Sequence, residues 1–484
     1  MDFSQQEWDA CIKVLKVLAR EPDKSLDTDT LKGLVTKLYK RAKKQNKAVA
    51  LEARAEATMT ENQKLSLEKA QDIFHKQDIY KQYDKSLKAN TLLFKNYQQP
   101  SENILTVKNE PSEQEFIYPK KCYQCKTPYK KIHFFYHTLC TECATLNYEK
   151  RTQTCDLQGR IALITGGRVK IGYMTALRML RDGAKVWVTT RFVNDCAKRF
   201  SEEADFELWS DRLQIVALDL RNLKAVQDFT NYLLENEAHL DILINNAAQT
   251  IKRPQAFYEH LFEFEQQKIV DLPTNLQKTI VFQHNFHFLE NIGEQKLLPY
   301  ESDIFFPKGE YDKDKQQIDK RDMNSWKLRL EDVPPVEMLE TQLVNVTAPF
   351  MLNSLLKPLL QKSPFERKFI INVSAMEGQF NRSSKTHFHP HTNMAKAALN
   401  MMTRTSAQDY ATDFIFMNSV DTGWITQENP FSIKERLYEE ENFVPPLDEI
   451  DGLARIYDPI ATGINTIEMP LFGHFLKDYK PYFW

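Results

Sequence analysis

Long apolar runs are missing from this chain. No stretch of about 18 or more consecutive apolar residues occurs, so no membrane-spanning helix is expected. Net charge is nearly missing too: −2 over 484 residues, which gives no global attraction to nucleic acid or to an anionic membrane. The opening Met1-Asp2-Phe3-Ser4-Gln5-Gln6-Glu7 has neither the basic-then-apolar order of a secretory signal nor the arginine-rich composition of a transit peptide, and a cytoplasmic protein is expected. Glycine is missing from the first 150 residues apart from Gly33; the rest of the 13 glycines lie from Gly159 onward. Helix interiors avoid glycine and tight strand-to-helix turns use it. The two parts should therefore differ in class, helical first and α/β second.

The residues present, 42% hydrophobic and 27% charged, suit a globular chain too long for one core. Four regions are expected. Residues 1–97 form an α-helical region, 98–118 a linker containing Pro100 and Pro111, 119–150 a cysteine-bearing module, and 151–484 an α/β domain with an insert at about 250–340. Trp8, Cys11, Ile12, Leu15 and Leu18 make one face of a helix over 5–20. A second helix starts near Asp27 or Thr28 and carries the basic run from Lys37 to Lys47; a third covers roughly 60–95. Glu52, Glu56 and Glu61 follow the basic run, which favours a solvated helix face over a nucleic-acid patch.

Four of the seven cysteines form two close pairs, Cys122-x-x-Cys125 and Cys140-x-x-Cys143, fourteen residues apart. A two-residue gap lets two thiolates of one tight knuckle reach the same ion, and two knuckles complete the tetrahedral shell that Zn²⁺ prefers. His133 and His137 lie between the pairs as substitute ligands, but four cysteines suffice. A closed four-thiolate shell has no open position, so the expected role is structural rather than catalytic. The stretch 130–137 alternates enough to be strand-like.

Further on, the apolar run Arg160–Ile164 precedes Thr165-Gly166-Gly167-Arg168-Val169-Lys170-Ile171-Gly172, and a helical pattern follows. Strand, glycine turn and helix N-terminus in that order make a cradle for a diphosphate. The turn resembles the T-G-x-x-x-G-x-G motif of the short-chain dehydrogenase/reductase superfamily, with Lys170 where the middle glycine belongs. Further segments are similar in order: Asp219 after Val216-Ala217-Leu218, the run Asn245-Asn246-Ala247-Ala248, Asn345 before Val346-Thr347, Ser374 closing Phe369–Val373, and Val420–Thr426 with Thr422 in place of the usual proline.

The resemblance implies a Rossmann-type doubly wound parallel sheet and a bound nicotinamide dinucleotide. It assigns cofactor contacts to Thr165, Gly166, Arg168, Lys170, Ile171, Gly172, Arg191, Asp219, Asn246, Ala247, Lys396, Gly423 and Thr426. Arg191 ends the next strand, where an acidic residue would bind the ribose hydroxyls of NAD; a basic one suits a 2′-phosphate. Arg168 is a second candidate for that phosphate, so NADP(H) is expected over NAD.

By the same resemblance Asn345, Ser374 and Lys396 are catalytic. The family's tyrosine, four residues before the lysine, is replaced by Thr392. An aliphatic hydroxyl ionises far above the tyrosine value of about 10, so Thr392 is no simple substitute. His391 is the adjacent imidazole, and His387 and His389 are close by. Two readings stand: an NADP(H)-dependent oxidoreductase with an altered proton donor, or a catalytically silent NADP-binding protein serving as a structural or regulatory subunit, as a homo-oligomer or within a larger assembly. A nucleic-acid role for the zinc module and basic helix is the third and least favoured. The insert's Phe286, Phe288, Phe305, Phe306, Tyr311 and Trp326 are expected either to cover a substrate cleft or to fill a small satellite core.

Overall fold

The computed structural model describes residues 4–20, 79–98, 114–282, 303–382 and 385–484. The chain forms two units, Met1–Gln82 and Tyr83–Trp484. In the first, α1 (Gln5–Arg20) opens with a reciprocal cap: the Ser4 N–H donates to the Glu7 carboxylate and the Glu7 N–H to the Ser4 hydroxyl. The expected second helix, its basic run, and residues 60–78 of the third lie outside the described residues.

The second unit begins earlier than the sequence suggests. Its α2 (Leu92–Gln98) and the helical residues 83–89 before it bury Leu93 and Leu87 against the cysteine module. The module's first strand, β1 (Glu115–Lys121), starts inside the stretch expected to be a linker, and Phe116 is only 1% exposed. The boundaries at 97 and 118 are thus corrected: polar and proline-rich composition hid one buried aromatic. β1 pairs antiparallel with β2 (Pro128–Lys131), and α3 (Thr141–Lys150) closes the module. The strand-like reading of 130–137 holds only to Lys131. Beyond it Ile132, Phe135 and Tyr136 all turn inward, so no alternation survives.

The α/β part follows as β3 (Ile161–Thr165), α4 (Lys170–Arg181), β4 (Lys185–Thr190), α5 (Val193–Ser201), β5 (Leu213–Ala217), α6 (Leu223–Asn236) and β6 (Ile242–Asn245). The insert contributes α7 (Glu259–Glu265) and β7 (Ile280–Phe282). Then come α8 (Pro335–Gln342), α9 (Ala348–Leu355), β8 (Lys368–Ser374), α10 (Pro390–Ala411), β9 (Ile415–Asp421), α11 (Phe431–Glu441), α12 (Glu449–Asn465), β10 (Phe475–Lys477) and β11 (Lys480–Tyr482).

The nine strands lie in the order β11-β10-β9-β8-β6-β3-β4-β5-β7, all parallel except β11. β3, β8 and β9 are buried along their whole length, as a sheet covered on both faces requires. Ala162 and Ile164 face α4, α5 and α12; Ile161 and Leu163 face α6, α9 and α10. Each fully buried Leu, Ile or Phe in these layers contributes about 1.5–3 kcal/mol. The strand order reverses between β3 and β6, and in open parallel sheets the crevice at that reversal takes the ligand. The insert's β7 extends the sheet edge beyond β5. No helix among the described residues is long and apolar enough to cross a membrane.

Candidate functional site

β3 ends at the reversal point, and the loops after β3 and β6 are stitched together there. The Thr165 hydroxyl accepts from the Asn246 and Ala247 N–H groups at 3.1 and 3.0 Å. The Asn246 side-chain amide donates to the Thr165 and Gly166 carbonyls at 3.0 and 3.1 Å. Helix α4 starts so close to this stitch that a Cβ on Gly172 would lie 2.2 Å from the Gly166 oxygen and 2.4 Å from Asn246 Nδ2. Lys170 keeps the glycine-like backbone of the position it occupies, with φ of 56°. Gly166, Arg168, Lys170, Ile171 and Gly172 line a cavity of 1180 Å³, as do Asn246 and Ala247. Thr165 does not: its hydroxyl is turned to the β6 loop, and its expected cofactor contact is corrected to that of a loop tie.

The cavity runs from this turn to Arg191, Asp219 and Arg221 in one direction. Arg191 donates to the Tyr258 hydroxyl at 2.7 Å and lies over the Tyr258 ring. Asp219 is paired with Arg221 at 2.6 Å; burial opposes its charge, but the Arg221 guanidinium prevails and holds the carboxyl below its usual range. Arg168 reaches the cavity wall but is held by Asp195 at 2.6 Å and Gln316 at 2.7 Å, which fastens the insert over the glycine turn. Over the turn itself, Lys170 faces Asp314 and Glu428. Burial opposes the Glu428 charge, and Lys170 with the Thr426 hydroxyl outweighs it, keeping that carboxyl ionised.

In the other direction the cavity ends at Val373, Ser374, Ala375, Lys396, Thr422 and Thr426. The Ser374 hydroxyl donates to Asn400 Oδ1 at 2.6 Å, one helical turn beyond Lys396. Lys396 donates to the Val373 carbonyl at 2.8 Å. The residue keeps partial access through the cavity, yet its amine lies deep enough that burial lowers it to about 8, with Glu377 opposing. Asn345 sits in a widened π-helical turn, Leu343–Thr347. Pro349 has no N–H to offer the Asn345 carbonyl four residues back, which accounts for the widening. The Asn345 side chain clasps the Gln249 backbone, accepting at 2.7 Å and donating at 3.2 Å.

Four residues expected at this end of the site do not line the cavity: Asn345, Thr392, His391 and Gly423. Thr392 is absent from the cavity wall; its hydroxyl donates to the His389 carbonyl at 2.9 Å. His391 is buried on another side of α10, with Nε2 3.3 Å from Glu337 of α8. Helix register turns His391 away from Lys396, whereas Thr392, four positions before that lysine, shares its face but is tied down to His389. His389 stacks on Trp326 at 3.8 Å and is pushed down to about 4 by burial, so it is neutral at physiological pH. Gly423 also stands behind the cavity wall, against Leu447. In the insert, Phe306 joins Phe192, Phe257, Tyr258 and Leu261 in a satellite core. Phe286 and Phe288 lie outside the described residues.

The four cysteine sulfurs of Cys122, Cys125, Cys140 and Cys143 all lie within 4.8 Å of one another, with Cys125 and Cys140 at 3.6 Å. Tetrahedral Zn–S bonds of about 2.3 Å require sulfurs about 3.8 Å apart, so the cluster fits the ion. The Cys140 N–H points at the Cys122 sulfur at 3.3 Å, a second-sphere contact suited to a thiolate. The module is bolted to α12 by Arg151, which bonds both Asp448 oxygens at 2.7 and 2.9 Å and lies 3.1 Å from Asp451. The sequence reading missed Asn400, Glu428, Arg151 and Tyr258. Only Asn400 carried a local signal, since it stands four residues after Lys396 on one helix face.

Two family models match the chain: short chain dehydrogenase over residues 160–276, and Enoyl-(Acyl carrier protein) reductase over residues 323–447. An uncharacterized protein of Acanthamoeba polyphaga mimivirus is 31% identical over 364 residues, 70% of this chain and 71% of that protein. The WW domain-containing oxidoreductase of Drosophila melanogaster is 30% identical over 156 residues, 31% of this chain and 33% of that protein. Human dehydrogenase/reductase SDR family member 13 is 38% identical over 96 residues, 19% of this chain and 24% of its own length. The chain thus aligns with only a quarter to a third of these last two relatives. Among solved structures, the Pseudomonas aeruginosa RhlG/NADP active-site complex is similar at 21% identity, covering 66% of this chain and 95% of its own, with a TM-score of 0.42.

Proposed function

Because the chain belongs to the short-chain dehydrogenase/reductase superfamily, we propose that its α/β unit binds NADP(H) and exchanges a hydride with a carbonyl or alcohol substrate. The observation that carries this reading is the continuity of the cavity: one space reaches from Arg191, past the glycine turn, to Ser374 and Lys396. The N-terminus of α4 and the Lys170 amine receive the diphosphate, and Arg191 receives the 2′-phosphate. The dinucleotide supplies the hydride when bound.

The chain must supply the proton, and Lys396 takes that part. Its ammonium is anchored by the Val373 carbonyl, lines the cavity beside Ser374, and titrates near enough to neutrality to donate and recover a proton. Asn400 orients the Ser374 hydroxyl, leaving its oxygen lone pairs to the cavity. The cysteine cluster holds a structural Zn²⁺. Fluorescence titration with NADPH and NADH, followed by a panel of carbonyl and alcohol substrates, tests the reading; turnover should appear with NADPH and vanish in Lys396→Met.

A second reading has its own observation. Neither Thr392 nor His391 lines the cavity, and the Ser374 hydroxyl hydrogen is given to Asn400. This favours a silent NADP-binding subunit of an assembly. Tight NADPH binding with no turnover on any panel member would select it.

A further inference from the structure

The cysteine module does more than sit beside the α/β sheet. Tyr123 lies inside the first knuckle, between Cys122 and Cys125, and its own N–H donates to the Thr138 carbonyl near the second knuckle at 2.8 Å. Its hydroxyl reaches across to accept the Trp424 N–H at 2.9 Å. Trp424 stands in the loop after β9, whose Thr422, Ile425 and Thr426 line the cavity. A Cβ on Gly423 would come within 3.6 Å of the same hydroxyl, so the knuckle and the loop are in close contact there.

The apolar side repeats the connection. Ile425 is 7% exposed and belongs to one core with Cys122, Phe135, Leu139 and Leu447. Ile171, on the first turn of α4, packs against that core and lines the cavity as well. Two walls of the cavity therefore rest on the module that the cysteines fold.

We propose that Tyr123 is a positioning residue: by binding the Trp424 amide it couples metal occupancy of the four-cysteine cluster to the order of the 422–426 loop and so to the affinity of the cavity for its dinucleotide. The physical basis is that an apo knuckle loses the constraint on residues 122–125, and with it the fixed acceptor for a loop amide.

The proposal rests on the dinucleotide reading for its last step only, and the test separates the two. Hydrogen–deuterium exchange of peptides spanning 422–427 is measured in the full chain with zinc, after chelation, and in Tyr123→Phe with zinc content assayed. Exchange should rise at least about tenfold in the chelated chain and in Tyr123→Phe, while that variant keeps its metal and its protection in β3 and β8. NADPH affinity should fall by about five- to tenfold in Tyr123→Phe, with NADPH itself as the probe. Unchanged exchange at 422–427 in the metal-loaded variant overturns the coupling. Absence of NADPH binding in the parent chain overturns the dinucleotide reading alone, because the exchange result does not depend on it.

Discussion

Burial lowers the Lys396 ammonium to about 8, and this gives any reduction it assists a definite pH signature. The acid form dominates below pH 8, so the rate of carbonyl reduction should be level there and fall about tenfold per pH unit above it. Lys396→Arg keeps the charge but not a titration near neutrality. Its rate should drop by about 10²–10⁴-fold, and the alkaline limb should move out of range, as pH profiles of both proteins would show. Lys170 poses a different residue-scale question, because a lysine holds a backbone with φ of 56°. A left-handed conformation costs a side-chain-bearing residue about 1–2 kcal/mol, most for β-branched ones. Thermal denaturation should find Lys170→Gly at least as stable as the parent and Lys170→Val less stable by about 1 kcal/mol or more. The sequence announced the unusual lysine but not its surroundings. Asp314 and Glu428, which face it, come from distant segments and have no spacing relation to the turn.

At the scale of elements, the glycine turn works through close approach between α4 and the β6 loop. Gly172→Ala must push Gly166 or Asn246 aside, since its Cβ would sit 2.2 Å from a carbonyl oxygen. Dinucleotide affinity, measured by fluorescence titration, should weaken more than about tenfold. This much was legible beforehand, because strand, turn and helix are contiguous and each carries its own local pattern. The tie between Arg151 and Asp448 was not: 297 positions separate them, and only the packing of α3 on α12 brings them together. Arg151 is 2% exposed with two carboxylates against it. Removing one partner of a buried ion pair costs about 3–5 kcal/mol, so Arg151→Met should lower the unfolding free energy of the second unit by that order in a denaturant titration. The misplaced proton donors belong to the same scale. Residue 391 is turned from Lys396 by helix geometry and faces α8; Thr392 shares the lysine's face, but its hydroxyl is spent on the His389 carbonyl, a bond that spacing alone does not announce.

At the scale of the molecule, the α/β class of the chain from Gly159 onward was readable from glycine usage, whereas the start of the cysteine module was not. Phe116, Leu87 and Leu93 draw residues called linker and helix into the cysteine module, and a buried side chain in a polar stretch leaves little trace in composition. The insert and the loops of the sheet then line one cavity, and the module backs it. Arg168 and Gln316 join insert to turn, and Ile425 and Ile171 join turn to module. Whether that cavity holds a nicotinamide dinucleotide is decided most directly by equilibrium titration of the full chain with NADPH and with NADH. An Arg191–phosphate contact of about 1.5–3 kcal/mol predicts saturable binding of NADPH at least about tenfold tighter than NADH. Failure of both dinucleotides to bind at millimolar concentration would contradict the account.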